Sequence, residues 1–278
     1  MVRRHVSAAR VARGWLLLAA IAMTPACGSS PTTPPPPVVL PPVVEPPAEP
    51  PPPPPPPPAP PTLAVSRILA FGDSMTEGVD SPPLTLTPPD WRLPLNPGRS
   101  RSYPFKLHAV LTARYTAQTI AVFNGGISGN EARADRGRFS QAMSEGKPNL
   151  ILLMEGANDL SGPLAVGEGI NARVTSVVDA LEDMIRDASG RGIPVMIATL
   201  PPQRPNSPKG GGVAFLPRFH SELKAMAAKK GAQVVDVNAQ MPLSLIGQDG
   251  LHPTEAGYQK IAEIWFEAIK ARYERAPQ

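Results

Sequence analysis

The chain has a single cysteine, four histidines and few aromatic residues, and its apolar runs are shorter than a bilayer crossing requires. One cysteine rules out an intramolecular disulfide, so the fold must be held by its core. Charge of one sign is lacking too. Lys and Arg total 27 against 23 Asp and Glu, and the formal excess of +4 is carried by Arg3, Arg4, Arg10 and Arg13, because no acidic residue precedes Glu45. The remainder is neutral and has no basic stripe with interleaved aromatics, so no nucleic-acid partner is expected. No His or carboxylate spacing calls for a metal ion, and none is expected.

Present at the start are those arginines followed by WLLLAAIAM at 15 to 23, a short apolar run with the anatomy of an export signal spanning 1–26. Cys27 comes directly after it, in MTPACGSS. Its position resembles the lipidation site of a bacterial lipoprotein, with Thr24 in place of the usual aliphatic residue. The alternative is plain cleavage after Ala26 that leaves Cys27 as a free thiol. The lipoprotein reading implies export to the cell envelope, at the outer membrane, periplasm or cell surface, with a membrane partner through the lipid.

Proline is abundant, at 39 residues, and most of it falls between Pro31 and Pro61. Missing backbone donors and a fixed φ exclude helix and sheet interior there. The segment 27–61 therefore reads as a linker, a polyproline II spacer reaching at most roughly 95 Å at about 3.1 Å per residue. The rest of the chain, 62–278, is long enough for one catalytic domain with its own core.

In that domain short apolar runs alternate with amphipathic stretches, the pattern of repeated βα units around a parallel sheet. Strands are predicted at 65–71, 118–123, 149–154, 193–198 and 232–237. Helices are predicted near 103–115, 131–144, 216–229 and from about Pro253. A further helix carries Ile170, Val174, Val177, Val178, Leu181, Met184 and Ile185 on one face. Trp265 falls on the apolar face of the last helix and reads as packing. The expected architecture is a three-layer α/β/α sandwich, with functional groups at the carboxyl ends of the strands.

The loops at those ends carry chemistry. After the first strand comes GDSMTEG, which sets Ser74 at a strand-to-helix turn; taken alone it is equally a helix cap. Acyl transfer needs a base, and His5 lies in the export signal while His108 and His220 lie in predicted helices without an orienting carboxylate. His252 sits in a Gly/Pro-bounded loop with Asp249 three residues earlier, close enough to fix its tautomer. NGGISG, with Gly125 and Gly126, offers an unobstructed backbone N–H, and Asn158 in EGANDL offers an amide. Those are the donors that a tetrahedral oxyanion requires. Asp73 and Asp159 read as loop-holding carboxylates; Glu77, Glu131 and Glu155 do the same or face solvent.

GDSMTEG, NGGISG, EGANDL and DGLHP, in this order and each after a strand, resemble the four sequence blocks of the SGNH (GDSL) hydrolases over 65–275. The resemblance implies a flavodoxin-like five-stranded parallel sheet of order 2-1-3-4-5 and a carboxylic ester hydrolase without cofactor. It implies Ser74 as nucleophile, His252 as base and Asp249 as its orienter. The Ser74 N–H, the Gly126 N–H and the Asn158 side chain would form the oxyanion hole. Substrates would be lipid, short acyl or carbohydrate acetyl esters, as small molecules or on a polymer. A G-x-S-x-G elbow is absent because Thr76 stands at its last position. Two other readings stay open: a non-catalytic surface module that binds acylated glycan or lipid, and phosphate- or sulfate-ester hydrolysis using Arg99, Arg101 and Arg204. A Pro-rich insert between Gly78 and Tyr103, with Trp91, Arg92, Arg99 and Arg101, either overhangs the pocket or is a plain surface loop.

Overall fold

A computed structural model describes residues 54, 59–79 and 101–276. The export signal, Cys27, most of the Pro-rich linker and the body of the insert with Trp91, Arg92 and Arg99 lie outside the described residues. The fold belongs to the unit Pro55–Gln278.

Five parallel strands form the central sheet: β2 (Arg67–Gly72), β3 (Ala121–Gly126), β4 (Leu150–Met154), β5 (Val195–Ala198) and β6 (Gln233–Val235). Their order is β3-β2-β4-β5-β6. Counted within this sheet that is 2-1-3-4-5, the expected order. β4 and β5 are buried along their whole length, as a parallel sheet covered on both faces demands. Helices flank the sheet. α2 (Tyr103–Arg114) packs on α8 (Glu255–Tyr273), and α5 (Ile170–Gly190) packs on α3 (Arg136–Gly146) and α6 (Leu216–Lys230). Between β6 and α8 lies α7 (Val237–Gln240), a single turn capped by Asp236, which accepts the Ala239 N–H.

The helical stripes behave as their spacing requires. Val174, Val177, Val178, Leu181, Met184 and Ile185 of α5 are buried, each stabilising by about 1.5–3 kcal/mol; Ile170, at the first turn, is exposed. Trp265 is fully buried and stacks on Tyr103 at 6.3 Å. Helix starts carry the caps expected of them: Ser102 accepts from the Phe105 N–H ahead of α2, and Thr254 from the Gly257 N–H ahead of α8.

Several elements differ from the sequence reading, among them the strand predicted at 232–237, which ends at Val235 because Asp236 caps α7. β3 begins at Ala121 and runs on through Gly125 and Gly126, which read as turn residues but pair in register with Phe71 and Gly72. α3 begins at Arg136 because the chain before it wraps on Asp159, which accepts the N–H groups of Ala132 and Arg133 at 2.7 and 3.3 Å. A two-stranded antiparallel sheet of β1 (Thr62–Leu63) and β7 (Glu274–Arg275) had no signal, being two residues long on each side.

The register of the main sheet places the site. Gly72 pairs with Gly126 on one side and with Met154 on the other. The chain therefore leaves β2, β3 and β4 at one level, and the loops bearing Ser74, residues 127–130 and Asn158 emerge side by side.

Candidate active site

The nucleophile candidate stands on α1 (Ser74–Glu77), a single turn directly after β2. Asp73 caps it, accepting the Met75 N–H on its side chain at 3.0 Å and the Thr76 and Glu77 N–H groups on its carbonyl. The turn closes at Gly78 with φ +101°, where a Cβ would stand 2.4 Å from the Ser102 side chain. Only glycine fits that conformation and that space. Ser74 is buried, and among the described residues its N–H meets no acceptor.

His252 arrives from the other end of the domain, on a loop that is braced twice. Gly247 N–H donates to the His252 carbonyl at 2.8 Å, and Ile246 bridges to Pro253. The segment after β5 lies across the same loop: Arg204 N–H donates to the Gly250 carbonyl and Lys209 N–H to the Asp249 carbonyl, at 2.8 and 2.7 Å. The Arg204 guanidinium donates to the carbonyls of Ile246 and Leu243, so it serves the loop rather than an anion. Arg101, the other described arginine of that reading, is 3.6 Å from the Glu255 carboxylate.

So held, His252 is 3 % exposed, with Nε2 at 2.9 Å from Ser74 Oγ and Nδ1 at 2.5 Å from Asp249 Oδ2. Burial pushes the Asp249 carboxyl up. Hydrogen bonds from the His252 ring and from the N–H groups of Leu251 and His252 outweigh it, and Asp249 lies below the ordinary carboxylate range. An ionised Asp249 fixes the proton on Nδ1 and turns the Nε2 lone pair toward the serine hydroxyl. The arrangement can move a proton from Ser74 Oγ to the imidazole.

Asn158 lies in α4 (Ala157–Ser161), after β4, and its Nδ2 donates to the Asn130 carbonyl at 2.8 Å, bringing the loop 127–130 against it. Gly126 does not do what was expected of it. Its N–H is committed to Asn124 Oδ1 at 2.9 Å, and its missing Cβ leaves room for the nucleophile turn, whose Glu77 N would otherwise be 2.1 Å away. The free backbone donor in this loop is Gly129, with φ +84°, open space around it and no acceptor for its N–H among the described residues. NGGISG contains three glycines, and only the course of the backbone tells the packing glycine from the one with a free N–H.

Behind these groups lies a buried set of carboxyls. Burial pushes Asp73 up to about 7, against the pull of the Met75 and Ala157 N–H groups. Asp159 is raised by burial as well, although the Ala132 N–H and Arg133 oppose it. Glu77 accepts the Ser128 N–H at 2.5 Å, and Glu131 pairs with Arg133 at 3.3 Å. Glu155 neither faces solvent nor holds a backbone N–H: it is buried, and burial with the adjacent Asp135 raises it well above the carboxylate range. Asp135 is pushed up by burial but drawn further down by Arg138, so the two neighbouring carboxyls shift in opposite directions. Among the described residues no cluster of three or more His, Cys, Asp or Glu could hold a metal ion.

The profile of the GDSL-like Lipase/Acylhydrolase family matches residues 70–260. A multidomain esterase from Ruminococcus flavefaciens is 26% identical over 166 residues, 57% of this chain; the chain spans only 20% of that protein. An arylesterase from Vibrio mimicus is 25% identical over 206 residues, covering 72% of this chain and 86% of its own. Among solved structures, an acetylxylan esterase from Geobacillus stearothermophilus superposes with TM-score 0.56 at 19% identity, over 75% of this chain and 95% of its own. A lipase/acylhydrolase from Enterococcus faecalis gives TM-score 0.59 at 21% identity, over 77% and 99%. The structural likenesses speak for the fold.

Proposed function

This chain belongs to the GDSL-like Lipase/Acylhydrolase family, and we propose that it hydrolyses carboxylic esters through an acyl-enzyme on Ser74. The observation that carries the proposal is the unbroken hydrogen-bond chain Ser74–His252–Asp249, at 2.9 and 2.5 Å. His252 Nε2 takes the hydroxyl proton as Oγ attacks the ester carbonyl, and the imidazolium then gives that proton to the departing alkoxide. The ester C–O bond breaks and an alcohol leaves. Water enters, His252 accepts its proton, and the hydroxide attacks the acyl carbonyl. Collapse of the second tetrahedral intermediate releases the carboxylic acid and restores the Ser74 hydroxyl. Asp249 keeps the ring oriented and stabilises the imidazolium without taking the proton.

Both tetrahedral intermediates place negative charge on the former carbonyl oxygen. Three donors suit it: the Ser74 N–H, the Gly129 N–H in place of that of Gly126, and Asn158 Nδ2. All three come from loops that leave the sheet at one level. Asn158→Ala is expected to lower kcat by about 10²- to 10³-fold with a small change in KM, read with para-nitrophenyl acetate. Equal turnover in the variant and the parent protein would remove Asn158 from the site.

Aryl and acetyl esters are the first substrates to assay, because relatives in sequence and fold carry those names; lipid and longer acyl esters come next. A chain-length series of para-nitrophenyl esters beside acetylated polysaccharide ranks them, and the absence of turnover on every ester would reject the enzyme in favour of a binding module. The export signal at 1–26, acylation of Cys27 and the Pro-rich spacer complete the proposal, supported by sequence pattern: an envelope enzyme held on a lipid. Labelling cells with a clickable palmitate analogue is expected to mark the full-length protein and not Cys27→Ser. Equal labelling of the two, or none, would rule out the anchor.

A further inference from the structure

Three loops have to leave three strands in fixed relation for the donors to converge, and one side chain bonds two of those strands and lies beside the residue that follows the third. Arg138, in the first turn of α3, reaches back under the site. Its Nη2 donates to the Gly72 carbonyl at 3.1 Å, two residues before Ser74, and its Nη1 donates to the Gly125 carbonyl at the end of β3. Nη2 also lies 3.7 Å from Glu155 Oε1, three residues before Asn158. The guanidinium plane rests over the Phe71 ring at 3.9 Å, and a fork of bonds to both oxygens of Asp135 fixes it from behind. The side chain is only 12% exposed.

These contacts use what a guanidinium has and an ammonium lacks. Several N–H groups fan out in one plane at set angles, so two carbonyls and a carboxylate are held at once with a defined spacing. A carbonyl oxygen has two lone pairs, so the Gly72 carbonyl accepts the Ile127 N–H at 3.1 Å and the Arg138 guanidinium together. Asp135 supplies the negative charge that keeps the cation in place.

We infer that Arg138 is a positioning residue that sets the spacing of the oxyanion donors by tying together β2 and β3 where they reach the site, beside the residue that follows β4. The inference rests on the proposed reading of Ser74, Gly129 and Asn158 as those donors. Arg138 touches no reacting atom; it acts through the loops.

The test compares Arg138→Lys, Asn158→Ala and the double variant with the parent enzyme, taking kcat, KM and the melting temperature with para-nitrophenyl acetate. Arg136→Ala, an exposed neighbour that pairs with Asp183, serves as the control and should match the parent. Arg138→Lys keeps the charge beside Asp135 but loses the planar fan. A displacement of the donors by about 1 Å should cost roughly 10- to 10²-fold in kcat, with KM changed by less than about threefold. Because Arg138 spaces the donors that work with Asn158 and two of them remain when Asn158 is gone, the double variant should lose more than Asn158→Ala alone but clearly less than the product of the two losses.

Parent-like kcat in folded Arg138→Lys overturns the inference, as do losses that multiply in the double variant, which is how a merely structural residue behaves. Should the lysine variant not fold, Arg138→Met, which keeps an apolar stem over Phe71, takes its place under the same criteria. Failure of both to fold makes Arg138 a stability residue and also overturns the inference. An undiminished Asn158→Ala enzyme is a separate result: it rejects the donor assignment itself, and the role of Arg138 with it.

Discussion

Ser74→Ala is expected to lower kcat for para-nitrophenyl acetate by about 10⁴- to 10⁶-fold and to leave the melting temperature nearly unchanged. The size comes from what one atom does. Oγ forms the bond to the acyl group, so its loss leaves only water attacking a carbonyl held by the oxyanion donors. The fold loses a single hydrogen bond, to His252 Nε2, worth about 1 kcal/mol, and the turn around it is held by Asp73 and the main chain. His252→Ala should fall to the same level, and the double variant no further, because nucleophile and base act in one step. Losses that multiplied would mean that the two residues serve different reactions. Parent-like turnover in either single variant would remove that residue from the mechanism.

Gly126→Ala carries the second large effect, and on a different quantity. A Cβ at this position would stand 2.1 Å from Glu77 N, 2.5 Å from Thr76 C and 2.8 Å from the Asp73 carbonyl oxygen, all of them main-chain atoms of the nucleophile turn. No rotamer relieves such a contact. Either β3 moves away from β2 or the turn lifts Ser74 off His252, and both cost core contacts. The expected loss is on the order of 3 kcal/mol or more, a fall in melting temperature of roughly 6–12 °C for a domain of this size. Gly129→Ala provides the contrast. It has open space but φ +84°, so its cost is the left-handed backbone alone, about 1 kcal/mol. Thermal unfolding of the two variants separates the readings, and an unshifted Gly126→Ala would mean that β3 and the turn are not in contact as described.

This pair of glycines also shows how far the sequence could be read. Apolar runs located all five main strands, because a strand covered on both faces has no room for polar residues. Elimination among four histidines pointed to His252, since only it has a carboxylate three residues away in a loop. The strand order came from the resemblance, and the sheet has it. What stayed hidden depends on distance across the fold. Gly125 and Gly126 look like a turn until β2 is laid beside them. Arg204 looks like an anion ligand until its guanidinium is found on the carbonyls of Leu243 and Ile246. Glu155 looks like a surface carboxylate until β4 buries it, and Arg138 has no sequence signal, because its partners are main-chain carbonyls distant in the chain.

β1 and β7 join the first and last strands of the domain at the edge where β2 begins, some six residues or about 20 Å of strand from its Ser74 end. A domain gripped by either terminus is thus gripped at nearly one point. That corner is held by two residue pairs, by the Gln118 side chain on the Leu63 N–H and by Arg114 and Tyr115 on the Glu274 carboxylate, none of them part of the proposed site. In an engineer's terms, the fixture and the working face are at opposite ends of the part.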